Sequence, residues 1–212
     1  MGLTDMSDSS EKFVTRRHFQ KLAHWGRRMF PRRMTLGLLG VVSAAFVVRP
    51  AMPHWSVMLG SLLLIGAGLG LRAWAAACAG THTRDATISA PTLVTGGPYA
   101  RVRNPIYLGT VILGAGMVGL IGDWRLVPFL FIVCVLLYAT IIPAEESFLS
   151  GKFGPLYEEY KKAVPRLVPR IRAWDGSQKV RPLWTNARGE ATIAALLIVI
   201  YAALQTVSLW RR

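Results

Sequence analysis

Two stretches of the chain stand out for the chemistry their residues can do. The first contains Thr95-Gly96-Gly97-Pro98-Tyr99-Ala100-Arg101-Val102-Arg103-Asn104-Pro105-Ile106-Tyr107. Thr95–Pro98 reads as a turn, because Gly supplies free dihedrals and Pro98 fixes one. Asn104 suits an N-cap and Pro105 the first position of a helix. Arg103 and Tyr107 then flank the positive end of that helix, a setting that attracts anions. The second stretch places Glu145 and Glu146 at the end of a long apolar run and continues through Phe153-Gly154-Pro155-Leu156-Tyr157-Glu158-Glu159-Tyr160 to Arg166 and Arg170. Neighbouring residues on a helix diverge by about 100°, so only one of the two carboxylates points into a given pocket. Acids this close to hydrocarbon are costly, which makes them functional candidates. An arginine and a helix N-terminus facing a carboxylate pair suit a zwitterion, the arginine taking a carboxylate and the glutamate an ammonium.

These stretches are positioned by apolar runs. The chain has 212 residues, 52% of them hydrophobic and 17% charged, with a mean hydropathy of +0.37. Soluble domains carry about 25% charged residues. The expected fold is all-α, a polytopic membrane protein of about five transmembrane helices with interfacial amphipathic helices. The runs are Met34–Val48, Trp55–Leu71 (extending towards Ala79), Ile106–Gly122, Leu126–Ala144 and Ala191–Leu209. Only Asp123-Trp124-Arg125 joins the third run to the fourth, so these form a tight hairpin that brings the two chemical stretches together. The Arg49–His54 turn makes a hairpin of the first two. Gly66-x-x-x-Gly70, together with Gly114, Gly116 and Gly119, reads as a set of close helix contacts. Gly154-Pro155 opens a short lid helix with Leu156, Tyr160, Ala163 and Val164 on its apolar face.

The net charge is +14. Segments 1–33, 72–105 and 145–190 carry 8, 4 and 9 Lys and Arg residues, against 4 in the remaining loops and the C-terminus. The excess of basic residues on cytoplasmic loops therefore places the N-terminus and both chemical stretches in the cytoplasm. The same bias accounts for the charge without nucleic acid as a partner. Cys78 and Cys134 belong to no Cys-x-x-Cys or Cys/His cluster, so no metal site is expected. Four parts follow: a basic amphipathic segment (1–33), a membrane core of four spans plus lid (34–170), a basic linker (171–190) and a C-terminal fifth span (191–212).

The combined pattern Gly97-Pro98-Tyr99-x-x-x-Arg103-Asn104-Pro105-x-Tyr107-x-Gly109, then Glu145-Glu146, then Phe153-Gly154-x-x-Tyr157-x-x-Tyr160 resembles the isoprenylcysteine carboxyl methyltransferase family and the related phospholipid methyltransferases, over about residues 60–170. The resemblance implies a cytoplasm-facing site for S-adenosyl-L-methionine and a lipophilic acceptor entering from the bilayer. It carries cofactor contacts to Thr95, Gly97, Tyr99, Arg103, Asn104, Pro105, Tyr107, Glu145 and Glu146. The family usually has His where this chain has Asn104, and Asn does not titrate near neutral pH. The fifth span follows the usual end of the motif and reads as an extension without bearing on the core chemistry.

The expected function is methyl transfer to a lipophilic acceptor, with carboxyl O-methylation favoured. Arg103, Glu145 and Glu146 are the candidates for catalysis, and Arg166 and Arg170 for holding a substrate carboxylate. The alternatives are amine methylation of a phospholipid head group, a non-catalytic protein retaining the fold, and a sterol-type membrane reductase.

Overall fold

The computed structural model describes residues 48–79 and 92–210. The basic segment 1–33 and the first expected span, apart from Val48, lie outside them. The described residues are helical with no strand. Helix α1 is Trp55–Ala79, α2 is Pro105–Ile121, α3 is Leu126–Leu136, α4 is Ile142–Phe153, α5 is Pro155–Ala163 and α6 is Arg188–Trp210. Short 3-10 turns, Gly97–Ala100 and Trp184–Ala187, precede α2 and α6.

Among the described residues, three helical stretches are long and apolar enough to cross a membrane: α1, the α3–α4 rod Leu126–Phe153, and Trp184–Thr206. Helix α2, at 17 residues, spans about 25 Å, slightly less than a hydrocarbon core of about 30 Å. The α3–α4 rod has 28 residues, about 42 Å at 1.5 Å each. Counted from Leu126, Glu145 and Glu146 fall about 30 Å along it, at the far edge of such a core. Between α3 and α4 the chain winds as a π turn over Leu137–Ile141. Pro143 lies two residues beyond it, and its missing N–H and ring disrupt the α ladder behind it.

The α2–α3 hairpin forms as the three-residue turn requires. Gly122 ends α2 in the left-handed region, and Asp123 accepts hydrogen bonds from the backbone N–H groups of Arg49 at 2.7 Å and Arg125 at 3.0 Å. At this end Val48, Ile121, Leu126 and Leu204 make one apolar cluster. At the opposite end Leu93, Tyr157, Tyr160 and Val164 make another. Gly154, at φ +54° and ψ −127°, turns the chain from α4 into α5. On α5 the sequence misassigns one residue. Leu156 is 52% exposed, and Tyr157 takes the buried place expected of it beside Tyr160.

The small-residue seam also differs from expectation. Gly66 and Gly70 face open space. Gly68, two residues on and so about 200° around the helix, is the point of contact. A Cβ on Gly68 would lie 2.7 Å from the Leu113 nitrogen and 2.8 Å from the Gly109 carbonyl, and one on Gly116 would lie 2.8 Å from the Ser61 carbonyl. Ser61, Gly68 and Ala75 recur at seven-residue spacing and are all buried. Gly68→Ala should therefore force α1 from α2 and cost about 1–3 kcal/mol. Gly66→Ala and Gly70→Ala should leave stability unchanged or raise it by up to about 1 kcal/mol through helix propensity. Thermal denaturation of the three purified variants in one detergent checks the contrast.

Candidate functional site

The site assembles at the start of α2, where three segments meet. Glu146, on α4, is buried, and its carboxylate collects donors from two of them. Arg103 Nε donates to it at 3.1 Å and Asn104 Nδ2 at 3.4 Å. Arg166 Nε lies 3.2 Å from both carboxylate oxygens, and Arg166 Nη2 donates to Oε2 at 2.6 Å. The side chains of Arg103 and Glu146 are 9% and 5% exposed. This hydrogen bonding to Glu146 holds the Arg166 guanidinium above its ordinary pKa.

Arg103, together with Arg170, also closes the C-terminal end of α5, where helix carbonyls lack partners. Arg103 Nη1 donates to the carbonyls of Lys161 and Val164, the latter at 3.0 Å, and the Arg103 N–H donates to Pro165 at 2.9 Å. Arg170 Nη1 donates to the Ala163 carbonyl at 2.8 Å, and Asn104 Nδ2 to that of Arg166 at 3.2 Å. Cations at a helix C-terminus also oppose its dipole. Asn104 occupies the cap position of α2, but its side chain makes no cap bond. It serves Glu146 and Arg166 instead. Pro105 takes the first helical position, as expected.

Glu145 points elsewhere, as the 100° step requires. It accepts a hydrogen bond from the Tyr107 hydroxyl. Its charge also reaches the Tyr99 phenol, whose pKa is pushed up by burial first, then by Tyr160 and Glu145. The Tyr160 hydroxyl donates to the Tyr99 carbonyl at 2.8 Å, and the Tyr160 ring lies 5.7 Å from that of Trp174. Burial raises the pKa of Tyr157 and Tyr160 as well, so these phenols stay protonated at neutral pH.

Thr95 and Gly97 sit behind this cluster. Thr95 is buried and accepts from the Gln178 N–H at 3.1 Å. Gly97 packs against Cys78, whose sulfur would lie 2.6 Å from a Cβ there. Residues 171–183 thus run back across the Gly97 loop. Trp174 N–H bonds the Ala100 carbonyl and Leu183 N–H the Ala77 carbonyl, each at 2.9 Å.

Sequence reasoning missed one polar group. Arg72 on α1 pairs with Glu190 on α6, Nε to Oε2 at 2.8 Å and Nη2 to Oε1 at 3.2 Å. Arg72 Nη1 also donates to Thr110 Oγ1 and, at 3.4 Å, to the Ile106 carbonyl. The fifth expected span is therefore tied into the core rather than appended to it. An arginine inside an apolar run was the available signal.

A model of the phospholipid methyltransferase family matches residues 55–155. Protein-S-isoprenylcysteine O-methyltransferase A of Arabidopsis thaliana is 33% identical over 143 residues, 65% of this chain and 72% of that protein. The chain belongs to the isoprenylcysteine O-methyltransferase family. Protein-S-isoprenylcysteine O-methyltransferase of Schizosaccharomyces pombe is 38% identical over 79 residues, 37% of this chain and 34% of that protein. The cobalt-zinc-cadmium resistance protein CzcN of Cupriavidus metallidurans is 31% identical over 85 residues, 40% of this chain and 39% of that protein. The chain thus spans under two-fifths of the length of these last two relatives. No solved structure matches it. The stretch matched by the family model contains Arg103, Asn104, Tyr107 and both glutamates, and ends at the start of α5.

Removing Glu146 leaves two guanidinium groups facing a buried space without their carboxylate. Glu146→Ala should destabilise the protein by about 3–5 kcal/mol, the usual cost of breaking a buried ion pair from one side. Glu145→Gln, which keeps an acceptor for Tyr107, should cost under about 1 kcal/mol. Comparison of the two denaturation midpoints checks this.

Proposed function

We propose that the chain is an S-adenosyl-L-methionine-dependent methyltransferase acting on a lipophilic acceptor, with carboxyl O-methylation the favoured reaction. The observation that carries this reading is the division of labour between adjacent carboxylates. Glu146 is neutralised by Arg103 and Arg166, and Glu145 is set among the phenols of Tyr107 and Tyr99. A carboxylate with aromatic neighbours suits a compact organic cation. Methylated sulfonium and ammonium groups are both of that kind, so the residues present fit the donor's cationic part. Bound there, the donor would supply an electrophilic methyl group.

Glu145, Tyr99 and Tyr107 would hold that cation, with Thr95, Gly97 and Pro105 forming the backbone wall beside it. Arg103, Asn104 and Arg166 act as positioning residues. They fix Glu146 and the end of α5, and so fix the face of α4 from which Glu145 projects. Arg170 braces the same turn. The strap 171–183 and Trp174 exclude water from the Tyr99 loop, which favours displacement at a methyl carbon over hydrolysis. A carboxylate acceptor needs no general base at neutral pH, whereas an amine acceptor would require Glu145 to take a proton.

The acceptor reaches the site from the bilayer. Leu62, Leu63, Phe131 and Ile132 are at least half exposed on α1 and α3, an apolar setting for a lipid tail. The basic-residue bias supports a cytoplasmic N-terminus and a cytoplasm-facing site. The names of the relatives support a prenylated cysteine as acceptor. The four-part division of the chain belongs to the same proposal, with the 171–190 linker containing the strap.

Labelled-methyl transfer in nanodiscs tests the reading with two acceptors, N-acetyl-S-farnesylcysteine and phosphatidylethanolamine. Transfer to the prenylated carboxylate is expected. Transfer to the amine alone would make the protein an N-methyltransferase, and transfer to neither would sink the proposal. Glu145→Gln should weaken donor binding roughly 10- to 150-fold, corresponding to a charge-assisted contact of about 1.5–3 kcal/mol, with folding retained. Shortening the acceptor tail should weaken apparent binding about fourfold per methylene, from about 0.8 kcal/mol each.

A further inference from the structure

The turn that follows α5 is built inside out. Its charged Arg166 reaches inward to Glu146, while the apolar Val168 and Ile171 are 78% and 96% exposed. A loose loop could fold these two side chains away, but this one is braced. Pro165 and Pro169 fix two of its backbone angles. The Arg170 N–H donates to the Arg101 carbonyl at 3.0 Å, and the Arg170 guanidinium reaches back across the turn to the Ala163 carbonyl at 2.8 Å. The Arg103 N–H donates to the Pro165 carbonyl at 2.9 Å. Polar contacts thus hold the turn in shape with its apolar residues outside, an arrangement that suits lipid better than water.

The depth of the turn agrees. Glu146, to which Arg166 is bonded, lies about 30 Å along the α3–α4 rod, at the edge of a hydrocarbon core. Downstream, the exposed Trp184 begins the next stretch apolar enough to cross a membrane, and tryptophan favours the membrane–water boundary. Segment 166–184 therefore starts and ends at one depth and runs along the membrane surface. Charge completes the match. Residues 166–181 carry five Lys and Arg and one acid, Asp175. Arg172 adjoins Ile171, and the backbone bond brings Arg101 beside Arg170. Arg101 and Arg172 are exposed, and among the described residues no carboxylate pairs with either.

We propose that this turn is a docking wedge for an anionic lipid surface. Val168 and Ile171 enter the leaflet at the Glu146 end of the rod, and Arg101, Arg170 and Arg172 take the phosphates of its acidic headgroups. An acidic protein partner would satisfy the arginines, but it would not call for a turn at the depth of the lipid with aliphatic side chains facing out. The same turn carries Arg166, so lipid that holds the wedge also holds one of the donors to Glu146. The inference concerns the turn alone and does not depend on which reaction the site performs.

The test puts an environment-sensitive nitrobenzoxadiazole label on Ile171→Cys in the full chain, with Cys78→Ala and Cys134→Ala removing the native thiols. The protein is held in phosphatidylcholine nanodiscs that carry a headgroup-level nitroxide lipid, with rising fractions of phosphatidylglycerol. The nitroxide should quench the label, and quenching should deepen as phosphatidylglycerol is added. High salt should weaken that response, because exposed charges are screened. Arg172→Gln should raise the phosphatidylglycerol fraction needed for half of the response about fivefold, the loss of one basic residue at a charged surface. Arg172→Lys, which keeps the charge, should match the parent. A label quenched by aqueous iodide and not by lipid nitroxide would put the turn in water, as a protein-binding surface, and overturn the proposal. Lipid quenching indifferent to phosphatidylglycerol, or a response to it unchanged in Arg172→Gln, would overturn it as well.

Discussion

The loop end of this fold is organised around one buried negative charge. Taking a carboxylate out of water costs several kcal/mol unless its oxygens are met by cations and hydrogen bonds. Glu146 meets that condition with Arg103, Asn104 and Arg166, which belong to the turn before α2 and the turn after α5. Arg103 in turn satisfies carbonyls that end α5, and Asn104 holds the Arg166 carbonyl in the turn beyond it. One charge therefore fixes three pieces of chain against each other. Asn104 contributes a donor that is present at every pH, so the cluster does not loosen as a histidine there would on titration. Glu145 inherits its direction from this arrangement because α4 cannot turn one carboxylate without turning the other.

Most of the scaffold was legible because its signals are local. Apolar length marked α1, the α3–α4 rod and α6, and Pro and Gly marked the starts of α2 and α5. The three-residue turn required the α2–α3 hairpin, and a single helical step separated Glu145 from Glu146. The errors arose where a local pattern had two equivalent answers. Gly66-x-x-x-Gly70 and Gly68 lie on opposite faces of α1, and only the partner helix decides which face is used. Leu156 and Tyr157 are adjacent on a short helix, and packing against Leu93 selects the tyrosine.

The site was less legible than the scaffold. Its residues were gathered by motif, but a motif does not say which side chain bonds which. Arg103 and Glu146 face each other rather than two ends of a ligand. Asn104 spends its amide on α4 and the α5 turn, not on its own helix. Arg72 and Glu190 are 118 positions apart, beyond any periodicity or spacing argument. The strap 171–183 has no pattern of its own. Its N–H groups donate to the Ala100 and Ala77 carbonyls and to the Thr95 hydroxyl, bonds that depend on the residues it covers.

The π turn at Leu137–Ile141 gives the longest rod an adjustable joint. A π turn is an α-helix that has absorbed one extra residue without passing the rotation on. Loss of one residue there would restore a plain helix and leave everything beyond it in register. The same loss at Ala144 would advance the chain by one place and set Ser147 where Glu146 meets two arginines. Tolerance to changes in chain length is thus concentrated in a single turn of the membrane rod, and a few residues later it vanishes.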